Sequence, residues 1–103
     1  MPDQSLSYGS AAILHAVASG RRFGFDIMDA TGLTSGTVYP ALERLESRGF
    51  VRSKWEDEAA AHAEGRPARR YFTLTASGAT ALKAALERYK ALRPIPGLAA
   101  ERS

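Results

Sequence analysis

Two stretches concentrate the side chains that could do chemistry. GRPARR, residues 65–70, sets Arg66, Arg69 and Arg70 within five residues, with Gly65 and Pro67 shaping the turn. Guanidiniums clustered this way suit phosphates or an AT-rich minor groove. The other reading is a solvated charged loop with internal Glu–Arg pairs, because Glu56, Asp57 and Glu58 make its first half acidic. The second stretch is SGTVYPALERLESRGF, residues 35–50. On a helical wheel with Val38 at 0°, Leu42 falls at roughly 40° and Leu45 at roughly 340°. That stripe is predicted to be buried. Ser47, Pro40, Arg44, Thr37 and Arg48 lie opposite it, between roughly 180° and 280°. Short residues at the start and arginines further along fit a major groove, where backbone N–H groups meet phosphate and arginine reads guanine. An ordinary core helix with a solvated face has the same pattern. Tyr39 and Glu43 flank the stripe, so Tyr39 either packs half-buried or leans on a DNA backbone.

Other chemistries find little support. There is no cysteine, which excludes disulfides, thiolate catalysis and zinc fingers. His15 and His62 lie far apart with no companion at ligand spacing. His15 is expected at the surface or a dimer edge, and His62 in a mobile loop. No nucleophile elbow, Walker loop or dinucleotide fingerprint occurs, and Asp57-Glu58 carries no sign of burial. No metal, no cofactor and no enzymatic activity are expected. The net charge of +3 is compatible with a nucleic-acid partner without establishing one. The N-terminus lacks a basic signal region and no apolar run approaches ~20 residues, so a cytoplasmic protein without a membrane partner is expected.

Those two stretches must be held by a scaffold, and the periodicities outline one. A helix is predicted over residues 5–19 with Leu6, Ile13, Leu14 and Val17 on one face. A second follows over 23–30, with Phe25, Ile27 and Met28 inward, and a third over 35–48. Residues 50–56, FVRSKWE, alternate as a strand, and a long loop leads to a second strand, RYFTL, at 70–74. Lys54 on the first strand joins the candidate DNA contacts. The last helix is predicted from residue 75, capped by Thr75 or Ser77, to about 92, with Pro94 forbidding more. Leu82, Leu86 and Tyr89 form its main stripe. Ala81, Ala84 and Ala91 leave a smooth second face suited to a partner helix. This order is a winged helix-turn-helix: mainly α (α+β), a three-helix unit with a two-stranded β-hairpin wing and a C-terminal dimerisation helix. The corresponding divisions are 1–74 for DNA binding, 75–93 for dimerisation and 94–103 as a flexible tail.

The segments SGTVYPALERLESRGFVRSKWE and GRPARRYFTLTASGATAL resemble the PadR-type winged-helix transcriptional regulators of bacteria. With ILHAVASG and FGFDIMDATG, the resemblance covers about residues 10–90. It implies a homodimeric, sequence-specific repressor that binds a palindromic operator in double-stranded DNA. By position, Ser35, Thr37, Tyr39 and Pro40 match the part of the recognition helix inserted into DNA, and Arg66, Arg69 and Arg70 match the wing. The last helix matches the dimerisation element, with Leu82, Leu86 and Tyr89 at the interface, in the short subtype of the family. Three features depart from the pattern. Phe23-Gly24-Phe25 stands where His-Gly-Tyr is common, AAAHAE lengthens the wing, and Trp55 lies in a strand, so a drug site between dimer-helix tryptophans does not carry over. Two other functions stay open: a winged-helix module for protein–protein assembly, and a ligand-sensing repressor with an effector pocket near Tyr8, Phe23 or Tyr89. Pro40 poses its own question. With Ser35 as N-cap it is an interior residue that forfeits a hydrogen bond, and with Thr37 as N-cap it falls where no bond is lost.

Overall fold

The apolar stripes meet in one core. The computed structural model describes residues 6–89. Its elements are α1 (Tyr8–Ala18), α2 (Gly24–Thr31), α3 (Ser35–Ser47), β1 (Val51–Trp55), α4 (Glu58–Ala63), β2 (Arg70–Leu74) and α5 (Ala76–Arg88). Helix α1 is central and touches α2, α3, β2 and α5. Leu6, Ile13, Leu14 and Val17 are buried there, as their spacing predicts, with Ile27, Val38, Leu42, Leu45, Val51, Phe72 and Leu82 around them. Burying each such aliphatic or aromatic side chain contributes about 1.5–3 kcal/mol. The chain belongs to the winged helix-turn-helix class, mainly helical with a two-stranded antiparallel sheet.

The hairpin pairs Val51 with Leu74 through Trp55 with Arg70, and the backbone N–H of Glu56 extends the ladder by donating to Arg69 O at 2.8 Å. On the other edge of β2, Phe72 N donates to Arg22 O at 2.9 Å, tying the start of α2 to the sheet. Thr75 caps α5 by accepting from Gly78 N at 3.0 Å, and its hydroxyl donates to Gly49 O at 2.6 Å. Ser77 Oγ donates to the same carbonyl at 2.9 Å. Gly78 lies so close to the Phe50 carbonyl that a Cβ there would collide with backbone. The TASG sequence therefore staples α5 to the turn between α3 and β1.

Four expectations need correction. Phe25 is 75% exposed, whereas Ile27 is fully buried. Two residues apart on a helix means about 200° of rotation, so both cannot face one core. The long loop contains a helix, α4, because its alanines are the best helix formers and Asp57 caps them by accepting from Ala59 N at 3.1 Å. His62 is consequently an exposed helical residue rather than a mobile loop residue. The last helix ends at Arg88, not near residue 92, since Tyr89 has φ −110° and ψ 75°. There the Tyr89 hydroxyl donates to Leu6 O at 2.7 Å and its ring meets Tyr8 edge-on at 5.4 Å. Residues 90–103, including Ala91, Pro94 and the expected tail at 94–103, lie outside the described residues. No helix among the described residues is long and apolar enough to cross a membrane.

Candidate nucleic-acid interface

Helix α3 begins after neither candidate cap. Thr34 is its N-cap, without a side-chain hydrogen bond, and its carbonyl accepts from Thr37 N at 3.0 Å and Val38 N at 2.9 Å. Counting from Ser35, Pro40 is the sixth helical residue and lies within the helix. Having no N–H, it leaves the Gly36 carbonyl without the donor that would close that turn, at an interior cost of about 3 kcal/mol. Val38, Ala41, Leu42 and Leu45 are buried, while Ser35, Thr37, Tyr39, Pro40 and Arg44 are exposed. Among the described residues Arg44 has no ion-pair partner. Tyr39 packs half-buried, as one of its two readings has it: the residue is 47% exposed and its ring lies over Gly24. A Cβ at Gly24 would collide with the Tyr39 hydroxyl and sit 2.5 Å from Cζ, so the aromatic ring rests there only because residue 24 is glycine.

The wing arginines are in a different condition. Arg66 Nη1 donates to Glu56 Oε1 at 2.6 Å and Nη2 to Glu56 Oε2 at 3.2 Å, a bidentate pair. Arg69 donates to the same carboxylate from its backbone N–H at 2.9 Å and from Nε and Nη2, each at 3.4 Å. The Arg66 hydrogen bonds, followed by the Arg69 backbone and side-chain donors, hold the Glu56 carboxyl down at about 2. The Arg69 guanidinium also covers the Phe23 ring at 4.0 Å. Arg70 turns away from the tip: Nη1 donates to Glu43 Oε2 at 2.9 Å, and Nη2 pairs with Glu46. Glu46 Oε2 in turn accepts from Ser53 Oγ at 2.7 Å. Ser53, Glu46, Arg70 and Glu43 thus bolt the hairpin to α3 and fix the angle between wing and helix. Lys54 is exposed and, by strand alternation, lies on the opposite sheet face from Val51 and Ser53. Trp55 is 63% exposed and lines an open groove with Ala59, His62 and Arg66.

The three expected dimer residues separate. Leu82 is sunk in the chain's own core at 7% exposure, Leu86 is 37% exposed, and Tyr89 is engaged with Leu6 and Tyr8. Tyr8 itself is 49% exposed beside it. On α1, partial burial lowers the pKa of His15 below its ordinary value.

The Glu56 pairs with Arg66 and Arg69 are the internal Glu–Arg pairs that the sequence reading held open for this loop, whereas Glu43 and Glu46 escaped it as interface-shaping residues. Glu43 and Glu46 are three apart on α3, a spacing that puts both on one helix flank. That signal was present, but their partner Arg70 is 24 residues from Glu46 and only the fold brings them together.

The family model described as "Transcriptional regulator PadR-like family" matches residues 13–84. Among solved structures, a PadR family transcription regulator from Clostridium difficile R20291 superposes with a TM-score of 0.70 at 24% identity, covering 82% of this chain and 88% of that one. The protein smu.1704 from Streptococcus mutans UA159 gives 0.69 at 24% identity, with 87% and 85% covered. BpsR from Bordetella bronchiseptica, whose DNA binding is regulated by 6-hydroxynicotinic acid, gives 0.69 at 19% identity, with 99% and 77% covered. At these identities the solved structures support the fold alone. No curated protein matches the sequence.

Proposed function

Because this chain belongs to the PadR-like family of transcriptional regulators, we propose that it is a homodimeric, cytoplasmic repressor that binds a palindromic operator. Helix α3 enters the major groove, and the 57–70 wing lies on the backbone or minor groove. One observation carries this reading: Thr37, Pro40 and an Arg44 without an ion-pair partner among the described residues share the exposed side of α3, opposite the buried stripe of Val38, Leu42 and Leu45, while Ser35 is exposed at the helix start. Short side chains let the helix start approach closely, and Arg44 then reaches guanine or phosphate. Pro40, rigid and donor-free, shapes that outer surface. Arg70 acts as a positioning residue, holding the wing at a fixed angle to α3. Two copies meet through α5 and α1, with Leu86 and Tyr8 as the exposed apolar residues available to a partner. An effector acting on DNA binding, as 6-hydroxynicotinic acid does in BpsR, finds its counterpart near Tyr8 and Tyr89 at that interface.

Selecting bound fragments from random DNA with the purified protein tests the proposal. A palindromic consensus is expected, because a twofold dimer reads two half-sites. Failure to enrich any sequence, with no binding to duplex DNA at low salt, would favour the assembly module instead. Sedimentation tests the dimer: Leu86→Glu should sediment as a monomer, since an unpaired charge at an apolar interface is costly. An intact dimer would remove α5 from the interface.

A further inference from the structure

Residues 56–70 carry four carboxylates, Glu56, Asp57, Glu58 and Glu64, against the three guanidiniums of Arg66, Arg69 and Arg70. Each guanidinium already sits on a carboxylate. Residues 56–70 of the free chain therefore carry no net positive charge of their own, although this is the part of the wing expected to draw in phosphate. Glu56 is the centre of this arrangement. Its two oxygens accept from both terminal nitrogens of Arg66 and from the backbone and side chain of Arg69. Two anionic oxygens facing a guanidinium fork are also what a phosphate group presents. The carboxylate occupies the place in those forks that a DNA phosphate would take.

Resting on the DNA-binding reading above, we infer that Glu56 is a specificity-determining residue: an internal carboxylate that competes with phosphate for Arg66 and Arg69 and so suppresses binding to arbitrary duplex. Non-specific binding comes almost entirely from phosphate neutralisation. In a loosely held, mobile complex, a passing phosphate must displace a carboxylate that is covalently local and meets repulsion from Asp57 and Glu58. Arg66 and Arg69 then stay on Glu56 and add nothing. In an operator complex, α3 contacts hold the wing in register, so exchange onto phosphate proceeds and both arginines contribute. Specificity is the difference between the two affinities, and Glu56 widens it by lowering the non-specific one.

The test uses the full chain and a labelled random-sequence duplex, with anisotropy titrations over a series of NaCl concentrations. Glu56→Gln keeps the side-chain size and the acceptor for Arg69 N while removing the charge. It should raise random-duplex affinity about fivefold or more and steepen the dependence of log K on log salt by ~1–2, at about 0.9 per added phosphate. Adding Arg66→Gln and Arg69→Gln to it should abolish the gain. Equal or weaker binding with an unchanged slope would overturn the inference and make Glu56 a scaffold that merely presents the arginines. A gain that survives in the triple variant would overturn it too. A melting curve checks that Glu56→Gln is folded. If it is not, the double variant Arg66→Gln/Arg69→Gln with Glu56 kept is compared with wild type: random-duplex affinity and salt slope should agree within about twofold, because Glu56 already withholds both arginines, and a slope lowered by ~1–2 would overturn the inference. Wild-type protein that binds no duplex at low salt would overturn the DNA-binding reading itself, whereas a wild type that binds without a gain in Glu56→Gln overturns only the role of Glu56.

Discussion

Arg44 on α3 and Arg66 in the wing are the same residue type in two opposite conditions. Among the described residues Arg44 has no ion pair, whereas Arg66 is held bidentately by Glu56 and touched by Glu64. The difference follows from the two kinds of backbone. A helix fixes which direction each side chain points, so an arginine opposite a buried stripe is left in solvent. A loop folds back on itself, and its charged groups settle on whichever opposite charges lie within reach. An exposed helical arginine is thus ready for a ligand, while a wing arginine must first give up a partner.

The comparison breaks most directly on Arg44. Arg44→Ala should weaken binding to a selected operator about tenfold or more, within the ~1–3 kcal/mol typical of a base contact. Arg66→Ala should cost distinctly less, because part of its interaction is already made within the chain. Competition binding on one operator decides this, and equal losses would show that the Glu56 pair has no bearing on DNA. Next in size is Gly24→Ala. The new Cβ displaces the Tyr39 ring, and the crowding should lower stability by ~1–3 kcal/mol and shift the exposed face of α3. Unchanged melting and unchanged operator affinity would mean that the ring moves aside freely.

Arg70→Ala sharpens the contrast from the side of the hairpin. It leaves Glu43 and Glu46 close together without their cation, and a stability loss of about 1 kcal/mol is expected for partly exposed pairs. Operator binding should fall as well, because the wing is no longer bolted to α3. Loss of stability alone would reduce Arg70 to a purely structural residue. The smallest effect is spectroscopic. Following the Glu56 side chain by NMR as pH falls should place its titration at about 2, against an ordinary value of 4.5. Its folded pKa is depressed, so the stabilisation from the Glu56 fork is complete above 4.5 and is lost as pH falls toward 2. An ordinary titration would mean that the fork does not persist in solution.

Much of this molecule was legible because regular elements repeat. Periods of 3.6 and 2 placed α1, α3, β1 and β2, identified Leu6, Ile13, Leu14, Val38, Leu42 and Leu45 as core, and put Arg44 and Pro40 on an outward face. The same periods turn Phe25 away from buried Ile27, and helix propensity with an Asp57 cap makes a helix of EAAAHA. The capping of α3 was less legible, because Thr34 caps through its backbone carbonyl alone and so leaves no side-chain signature.

Sequence by itself determined the fold class, the family and which helix face is solvated, since each depends on local spacing or on a contiguous motif. The sequence left two readings of the wing open, and only the folded chain chooses the internally paired one and brings Arg70 to Glu43 and Glu46. Glu43, Glu46 and Glu56 reach their arginines across 10 to 27 positions of chain. Charge pairing over such distances depends on where folding delivers two side chains, and no local period records that.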